Sequence, residues 1–519
     1  MTAAHPPRRY FWMLCLGLGL ALGIFLHLRN LYGVVYIDED EARAFNLLSS
    51  GPLIYLICAP VYNLFHHLQR SVFFFAGLFG VASILLVYAA GCQLGIGRSR
   101  AAFAALIYAI YPLRINYART LYPAVFIEFF FLVAFLAAAR GLSKKNHGLI
   151  FLSGISCACI FFTHYCGYAI IAGLSFFIVA SSLEKGDRFS LVARRVAFFA
   201  GGFCAGYLAL DATLAVAGHG YEYTRQMLTC RTTELHYAQW VREVPFFLRD
   251  LGKGVTGSWQ WVFISLIVTG AVSYGIVTAW FGKERSLRWF FLIFIVGGAL
   301  FIGLAYAGCH SIKERHFVWF SSFFSIAATG AVAALFTRTS RGGKAVLGCC
   351  AAVFIGVLFF ESYQITVETF KITEMRSWLE RNHISRQEVI TSWWTINFLG
   401  DTEVTSLVPG HFVTEGAIRD PSLWYRNDPR FKIDWASVGK AYEIGVCRYL
   451  LTSGTSARFT LGEGEELLQR VHPLMVWPHP YCAFRRRPFY VPGKIFIKLY
   501  DLRDVFSSEN LKNFHQGVS

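Results

Sequence analysis

Apolar runs of about 20 residues, each long enough to cross the ~30 Å hydrocarbon core of a bilayer as a helix, recur along this chain. The turns between them are not equivalent. Basic residues gather at Arg8/Arg9, Arg98/Arg100, Arg140/Lys144/Lys145, Lys185/Arg188/Arg194/Arg195, Lys283/Arg285/Arg288 and Arg338/Arg341/Lys344, which is every second turn. That alternation is the signature of cytoplasmic loops. It makes the net charge of +16 a matter of topology and removes nucleic acid as the obvious partner. With 55% hydrophobic and only 15% charged residues, the chain is too apolar for an ordinary soluble protein. It is expected to be a multi-pass integral membrane protein surrounded by membrane lipids.

Taking the basic turns as cytoplasmic gives about eleven spans. The first, roughly 10–28, follows Arg8 and Arg9 but has no small-residue cleavage pattern, so it is expected to be retained as a helix. It delivers 30–69 to the outer side. Residues 52–68, apolar but broken by Pro60, His66 and His67, are expected to form an interfacial or re-entrant helix, because counting them as a span would invert every later basic turn. The segment 111–120 is expected to be a short outer connection carrying Arg114 and Arg119. His164 marks the outer turn between spans five and six. The outer turn between spans nine and ten holds His310, Lys313, Glu314, Arg315 and His316.

From about Glu361 the composition becomes that of a soluble domain. The sequence predicts an amphipathic helix over 373–382, with Met375, Trp378 and Leu379 on one face, and strands near 389–394, 447–452, 481–484 and 494–499. The expected fold class is therefore mainly α, a polytopic membrane helix bundle (1–362) followed by an α/β domain (363–519) outside the cytoplasm. Most of the 13 cysteines lie within spans as small apolar residues. Cys447 and Cys482 stand in the outer domain, where a disulfide is chemically allowed. No CxxC pair with metal-ligand spacing occurs.

The densest charge outside the basic turns is Asp38-Glu39-Asp40-Glu41, placed directly after the first span. Ionised carboxylates are costly in hydrocarbon, so the cluster belongs at a membrane surface or in a water-filled cavity. Apolar and aromatic neighbours, from Leu31 to Tyr36 and from Phe45 to Leu48, favour packing over a free tether.

The order of features resembles the GT-C glycosyltransferases, in particular the protein O-mannosyltransferase and aminoarabinose transferase group. The resemblance covers roughly 10–340. It rests on Asp40-Glu41-Ala42-Arg43, then Gly51-Pro52-Leu53-Ile54-Tyr55, Arg70, the turn Gly97-Arg98-Ser99-Arg100, Tyr111-Pro112 and Ala118-Arg119. Many members carry a second acidic residue near the start of span four. This chain has Leu121-Tyr122-Pro123-Ala124 there, with Glu128 deeper in the span.

The resemblance implies transfer of one sugar from a polyprenyl-phosphate carrier to an acceptor (a glycan, lipid or protein) on the outer face, with inversion. It implies no certain cofactor and leaves a divalent metal open. The protein is expected in the cell envelope, in a bacterial inner membrane, with an internal eukaryotic membrane as the alternative. A partly desolvated carboxylate is suited to act as the base on the acceptor. Asp40 is the candidate base and Glu41 its companion, with Asp38 and Glu39 as accessory acids. Arg114, Arg119, Lys313 and Arg315 are candidates for the donor phosphate, with His316 and His164 behind them. Two readings from other classes draw on the same charges. One is a transporter or flippase for a lipid-linked or anionic substrate; the other is a non-catalytic relative that binds lipid-linked sugar. The transporter reading lacks repeated halves and leaves the large outer domain without a role.

The alternation of basic turns places the C-terminal domain on the same side as Asp40. A periplasm-active reporter fused after Gly493 is expected to be active, and a reporter active only in the cytoplasm, fused at the same point, is expected to be silent. The reverse pattern would invert the assignment.

Overall fold

The computed structural model describes residues 10–29, 52–54, 56–58, 68–118, 123–164, 167–216, 270, 273–278, 280–281, 285–304, 318–367, 372–385, 388–391, 442–443, 445, 448–454, 468, 471–478 and 496–507. These fall into two compact units, one ending at Val367 and the other beginning at Ile372.

The first unit is helical. Its helices are α1 (Phe11–Leu28), α2 (Leu68–Gln93), α3 (Arg98–Ala109), α4 (Pro112–Ala118), α5 (Ala124–Lys144), α6 (His147–Thr163), α7 (Gly167–Glu184), α8 (Phe189–Val216), α9 (Arg285–Leu304), α10 (Ser321–Arg338) and α11 (Arg341–Val367). Seven described helices are long and apolar enough to cross a membrane, and 147–163 and 287–300 form shorter apolar helices. Most of the expected span 259–281 lies outside the described residues.

The turns follow local chemistry. Gly95 and Gly97 adopt φ of 81° and 85° between α2 and α3, a conformation that favours glycine. Asn146 caps α6, its side chain accepting from the Leu149 amide at 3.2 Å. Residues 112–118 depart from the expected loop. Pro112 opens a helix, α4, whose Leu113, Arg114, Ile115, Tyr117 and Ala118 are all buried. Its apolar residues need burial, and proline suits the first helical turn.

In lipid the packing cannot rely on expelling water, so helices approach through small residues and through side-chain interdigitation. The α6–α8 contact shows this. Gly154 lies against the Phe199 carbonyl and Gly202 against the Phe151 carbonyl, with no space for a Cβ at either position. On the other side of the bundle a phenylalanine ladder joins α5, α7, α9 and α10. Phe135 meets Phe290 at 4.9 Å, Phe131 meets Phe294 at 5.2 Å, and Phe294 meets Phe323 at 4.7 Å between ring centroids. Residues 52–54 and 56–58 are helical; Leu53 is buried with Phe162 and Leu214, and Leu56 and Ile57 pack against the same cluster. By contrast α11 exposes Val346, Val353 and Phe360, as a helix facing acyl chains would.

The second unit is α/β. The amphipathic helix α12 (Ile372–Arg381) buries Leu379, and Trp378 meets Trp477 edge to face at 5.6 Å. Four strands, β1 (Val389–Thr391), β2 (Tyr449–Gly454), β3 (Met475–Pro478) and β4 (Phe496–Asp501), form one sheet in the order β1-β2-β4-β3. β1 is parallel to β2, while β4 runs antiparallel to β2 and β3. β3 has no counterpart among the expected strands: its Pro478 masked the pattern, and proline is tolerated at a sheet edge. The expected strand at 481–484 and the Cys447–Cys482 pair lie outside the described residues.

β4 runs directly into a short helix, α13 (Leu502–Val505). Asp501 caps it, accepting from the Arg503 amide at 2.9 Å, and pairs with the Arg503 guanidinium at 2.7 Å and with Arg448 at 3.4 Å. Burial by itself would raise the Asp501 carboxyl. The hydrogen bonds and positive charge of Arg503, aided by Arg448, outweigh burial and hold it below its ordinary value. A carboxylate of lowered folded pKa contributes stability that is present above its unfolded value of about 3.9 and lost as pH falls through the folded one. Asp501→Asn is therefore expected to weaken the second unit at neutral pH and to flatten its acid dependence. Pulse proteolysis of the full-length protein in detergent between about pH 3 and pH 7 would read both. A variant with the parent's acid slope would remove Asp501 as the source.

Candidate functional site

The first unit buries a carboxylate and a guanidinium completely, a costly arrangement in an apolar bundle unless both are paired and hydrogen-bonded. Glu128 lies in the second turn of α5 and Arg114 in α4, and both side chains have zero exposure. Arg114 Nε stands 3.9 Å from Glu128 Oε2. The pair is supported from four directions. The Tyr108 hydroxyl, near the end of α3, donates to Glu128 Oε2 at 2.7 Å. The Ser322 amide, in the first turn of α10, donates to Glu128 Oε1 at 2.9 Å. Arg114 donates through Nη2 to the Gly80 carbonyl of α2 and through Nη1 to the Tyr108 carbonyl at 3.4 Å. Its guanidinium carbon also lies 3.9 Å from the centre of the Tyr108 ring, a cation–π contact.

Gly80 is required here. A Cβ at that position would fall onto the ring of His27 and come within 3.2 Å of Arg114 Nη2. His27, in the last turn of α1, is itself buried, with Nδ1 2.8 Å from the Gly23 carbonyl. Nearby, the Ser362 hydroxyl of α11 donates to the Ile110 carbonyl at 2.8 Å, tying α11 to the α3–α4 junction. The cluster therefore gathers the ends of α1, α3, α5, α10 and α11 opposite to those at which Arg98, Lys144 and Arg338 stand.

Of the residues expected to carry chemistry, Arg114 and His164 are described. Arg114 is turned into the bundle, its guanidinium engaged by Gly80, Tyr108 and Glu128. His164 is buried at the turn between α6 and α7, where its carbonyl accepts from the Gly167 amide at 2.9 Å. Asp38, Glu39, Asp40, Glu41, Arg119, Lys313, Arg315 and His316 lie outside the described residues. Glu128 is the residue that sequence reasoning passed over. Its signal was present, since an ionisable residue inside an apolar span marks a site with a partner. The partner's identity was not, because it sits on another helix. Among the described residues no group of three or more His, Cys, Asp and Glu is arranged to hold a metal ion.

Chemically, the cluster holds a carboxyl group and a guanidinium in register, both fully buried among the described residues. Replacing Glu128 by Ala would leave Arg114 buried without its counter-charge. The expected loss is about 3–5 kcal/mol, the usual penalty for breaking a buried pair, and adding Arg114→Met should recover most of it. Thermal melting in detergent micelles measures this. A Glu128→Ala protein that melts with the parent would show that the pair contributes nothing.

Comparison with known proteins follows the same architecture. Residues 49–201 match the sequence model of the family described as Dolichyl-phosphate-mannose-protein mannosyltransferase. No curated protein matches the chain significantly. The fold is that of ArnT from Cupriavidus metallidurans, a GT-C glycosyltransferase. The structure bound to undecaprenyl phosphate superposes with a TM-score of 0.51 at 12% identity, over 95% of this chain and 98% of that one. The apo structure gives 0.52 at 11% identity, over 94% and 97%. The archaeal oligosaccharyltransferase AglB from Archaeoglobus fulgidus, in complex with an inhibitory peptide and a dolichol-phosphate, gives 0.48 at 12% identity, over 86% and 70%.

Proposed function

We propose that this protein is a membrane glycosyltransferase that moves a sugar from a polyprenyl-phosphate carrier to an acceptor on the outer face of a membrane, with inversion at the anomeric carbon. The observation that carries the reading is a shared fold along nearly the whole length of a structure that holds undecaprenyl phosphate. The family match over the first spans supports it from sequence. The buried charge cluster supports it from physics, since a bundle that only spans a membrane has no need of an ordered ion pair at one end.

In this reading Asp40 takes the proton from an acceptor hydroxyl or amine. The acceptor atom attacks the anomeric carbon as the bond from that carbon to the phosphate oxygen breaks. Polyprenyl phosphate leaves with the bonding electrons, and its growing negative charge is met by Arg119, Arg315 and Lys313, with His316 and His164 as further donors. Arginine suits this role because its planar fork binds two phosphate oxygens at once. Arg114, engaged within the bundle, is assigned to holding the scaffold. Glu41 orients or binds, and Asp38 and Glu39 are accessory. The active side is the outer one, with the C-terminal unit on the same side. Glycan, lipid and protein acceptors all fit this chemistry, and no step in it calls for a nucleotide.

The test is release of undecaprenyl phosphate from a panel of labelled undecaprenyl-phosphate sugars in proteoliposomes. Asp40→Asn keeps shape and hydrogen bonding but cannot accept the proton. Because a positioned base contributes about 10²–10⁴-fold, turnover is expected to fall by at least two orders of magnitude while donor binding persists. Asp38→Asn should cost far less, with Glu41→Gln between them. Transfer by Asp40→Asn at the parent rate, in protein of normal abundance, would remove Asp40 as the base.

A further inference from the structure

We propose that Arg29 and Tyr363 form a binding site for the phosphate of a two-chain anionic phospholipid, at the rim of the membrane unit between α1 and α11. The apolar spans end at Leu28 on α1 and at Tyr363 on α11, so the two residues stand side by side at the boundary of the hydrocarbon. Lipid phosphates lie at that level. Arg29 leaves α1 in an extended conformation, φ −63° and ψ 133°, with its amide donating to the Phe25 carbonyl at 2.9 Å. Its guanidinium carbon lies 4.5 Å from the centre of the Tyr363 ring and 5.2 Å from that of Phe25. The two rings are within 7° of parallel.

The charge of Arg29 is the unusual part. Arg114 and Arg195 each face a carboxylate, Glu128 and Asp187, whereas among the described residues no carboxylate pairs with Arg29. Aromatic faces hold it instead. A guanidinium stacked on a ring keeps its N–H fork directed outward in its own plane, ready for two phosphate oxygens. The platform is fixed, because Tyr363 packs with Phe359 against Leu26, Ile110 and Ile115, and Ser362 beside it is bonded to the Ile110 carbonyl. Below the cation, apolar surface continues in two strips. Ile24, Phe25 and Leu28 are exposed on α1. On α11, Val353, Gly356 and Phe360 fall at i, i+3 and i+7 and are exposed, and a Cβ on Gly356 would meet nothing within 4 Å. Two strips under one cation fit a lipid with two chains, where a single polyprenyl chain would leave one strip bare. An anionic headgroup supplies the counter-charge and brings no ammonium of its own to compete with Arg29.

A cation that merely snorkels to headgroups takes whatever lipid is nearest and shows no preference among them. Native mass spectrometry of the full-length protein in detergent micelles, titrated separately with phosphatidylglycerol, phosphatidylcholine and undecaprenyl phosphate, tells the two apart. The parent is expected to bind phosphatidylglycerol at least about tenfold more tightly than phosphatidylcholine, and Arg29→Gln should abolish that preference. Arg29→Lys keeps the charge without the fork and should retain only part of it. Tyr363→Phe keeps the ring and should match the parent, as should Lys344→Gln at the other end of α11. If Arg29 served only as a cation at the end of a helix, Arg29→Gln would lower the melting temperature of lipid-free protein and leave the lipid preference intact, which would overturn the site. Should Arg29→Gln fail to accumulate, Tyr363→Leu takes its place: it keeps the cation, removes its platform and should weaken phosphatidylglycerol binding several-fold. Equal affinity for phosphatidylglycerol in the parent and in Arg29→Gln (or Tyr363→Leu) would overturn the proposal. So would a parent that binds the two phospholipids alike, or an Arg29-dependent affinity for undecaprenyl phosphate alone, which would assign this rim to the carrier.

Discussion

A guanidinium and a carboxyl group lie side by side in the interior of the membrane unit, and the arrangement of that end of the bundle depends on the bonds they make. Arg114 and Glu128 join five helices, α2, α3, α4, α5 and α10, through Gly80, Tyr108, Ser322 and each other. An ion pair of this kind adds little net stability compared with an apolar core of the same shape, because desolvation offsets the attraction. What it imposes is geometry. Each partner would be left as a bare buried charge if α4, α5 or the start of α10 moved, so the low-energy arrangement is narrow.

The remainder of the bundle is held by contacts that are stronger in sum and weaker in direction. The Phe ladder through α5, α7, α9 and α10, and the glycine approach between α6 and α8, set which helices are neighbours. Neither specifies axial register as the Glu128 carboxylate does. Both suit a lipid environment, where close van der Waals packing replaces the hydrophobic drive available in water. The second unit follows the rules of a soluble fold. Its sheet buries Leu450 and Tyr500 against Leu468, Val471, Leu502 and Val505, and its charged network at Asp501 is partly open to solvent.

This division has a chemical logic. Transfer from a lipid phosphate needs a site that lipid can enter from the side and an acceptor can enter from water. Cations at such a boundary are pulled toward headgroups and solvent, because long basic side chains extend to whatever solvates them. In the proposed reading, the buried Arg114–Glu128 cluster contributes a bundle end whose backbone does not drift.

Much of this was legible in the chain itself. Composition is an additive property of single residues, so the membrane class and the change to a more soluble composition near residue 361 needed no tertiary information. The amphipathic helix at 372–381 and three of the strands followed from local periodicity for the same reason. Tertiary structure decided what depends on distant residues. The stretch 112–118 reads as part of a polar connection carrying Arg114, yet folds as a buried helix because Glu128, Tyr108 and Gly80 provide for Arg114 from other elements. Glu128 is visible in the sequence as a lone acid in an apolar span. That it faces an arginine on one side and the amide of Ser322 on the other is set by helix packing alone, since no periodicity relates residues on separate helices.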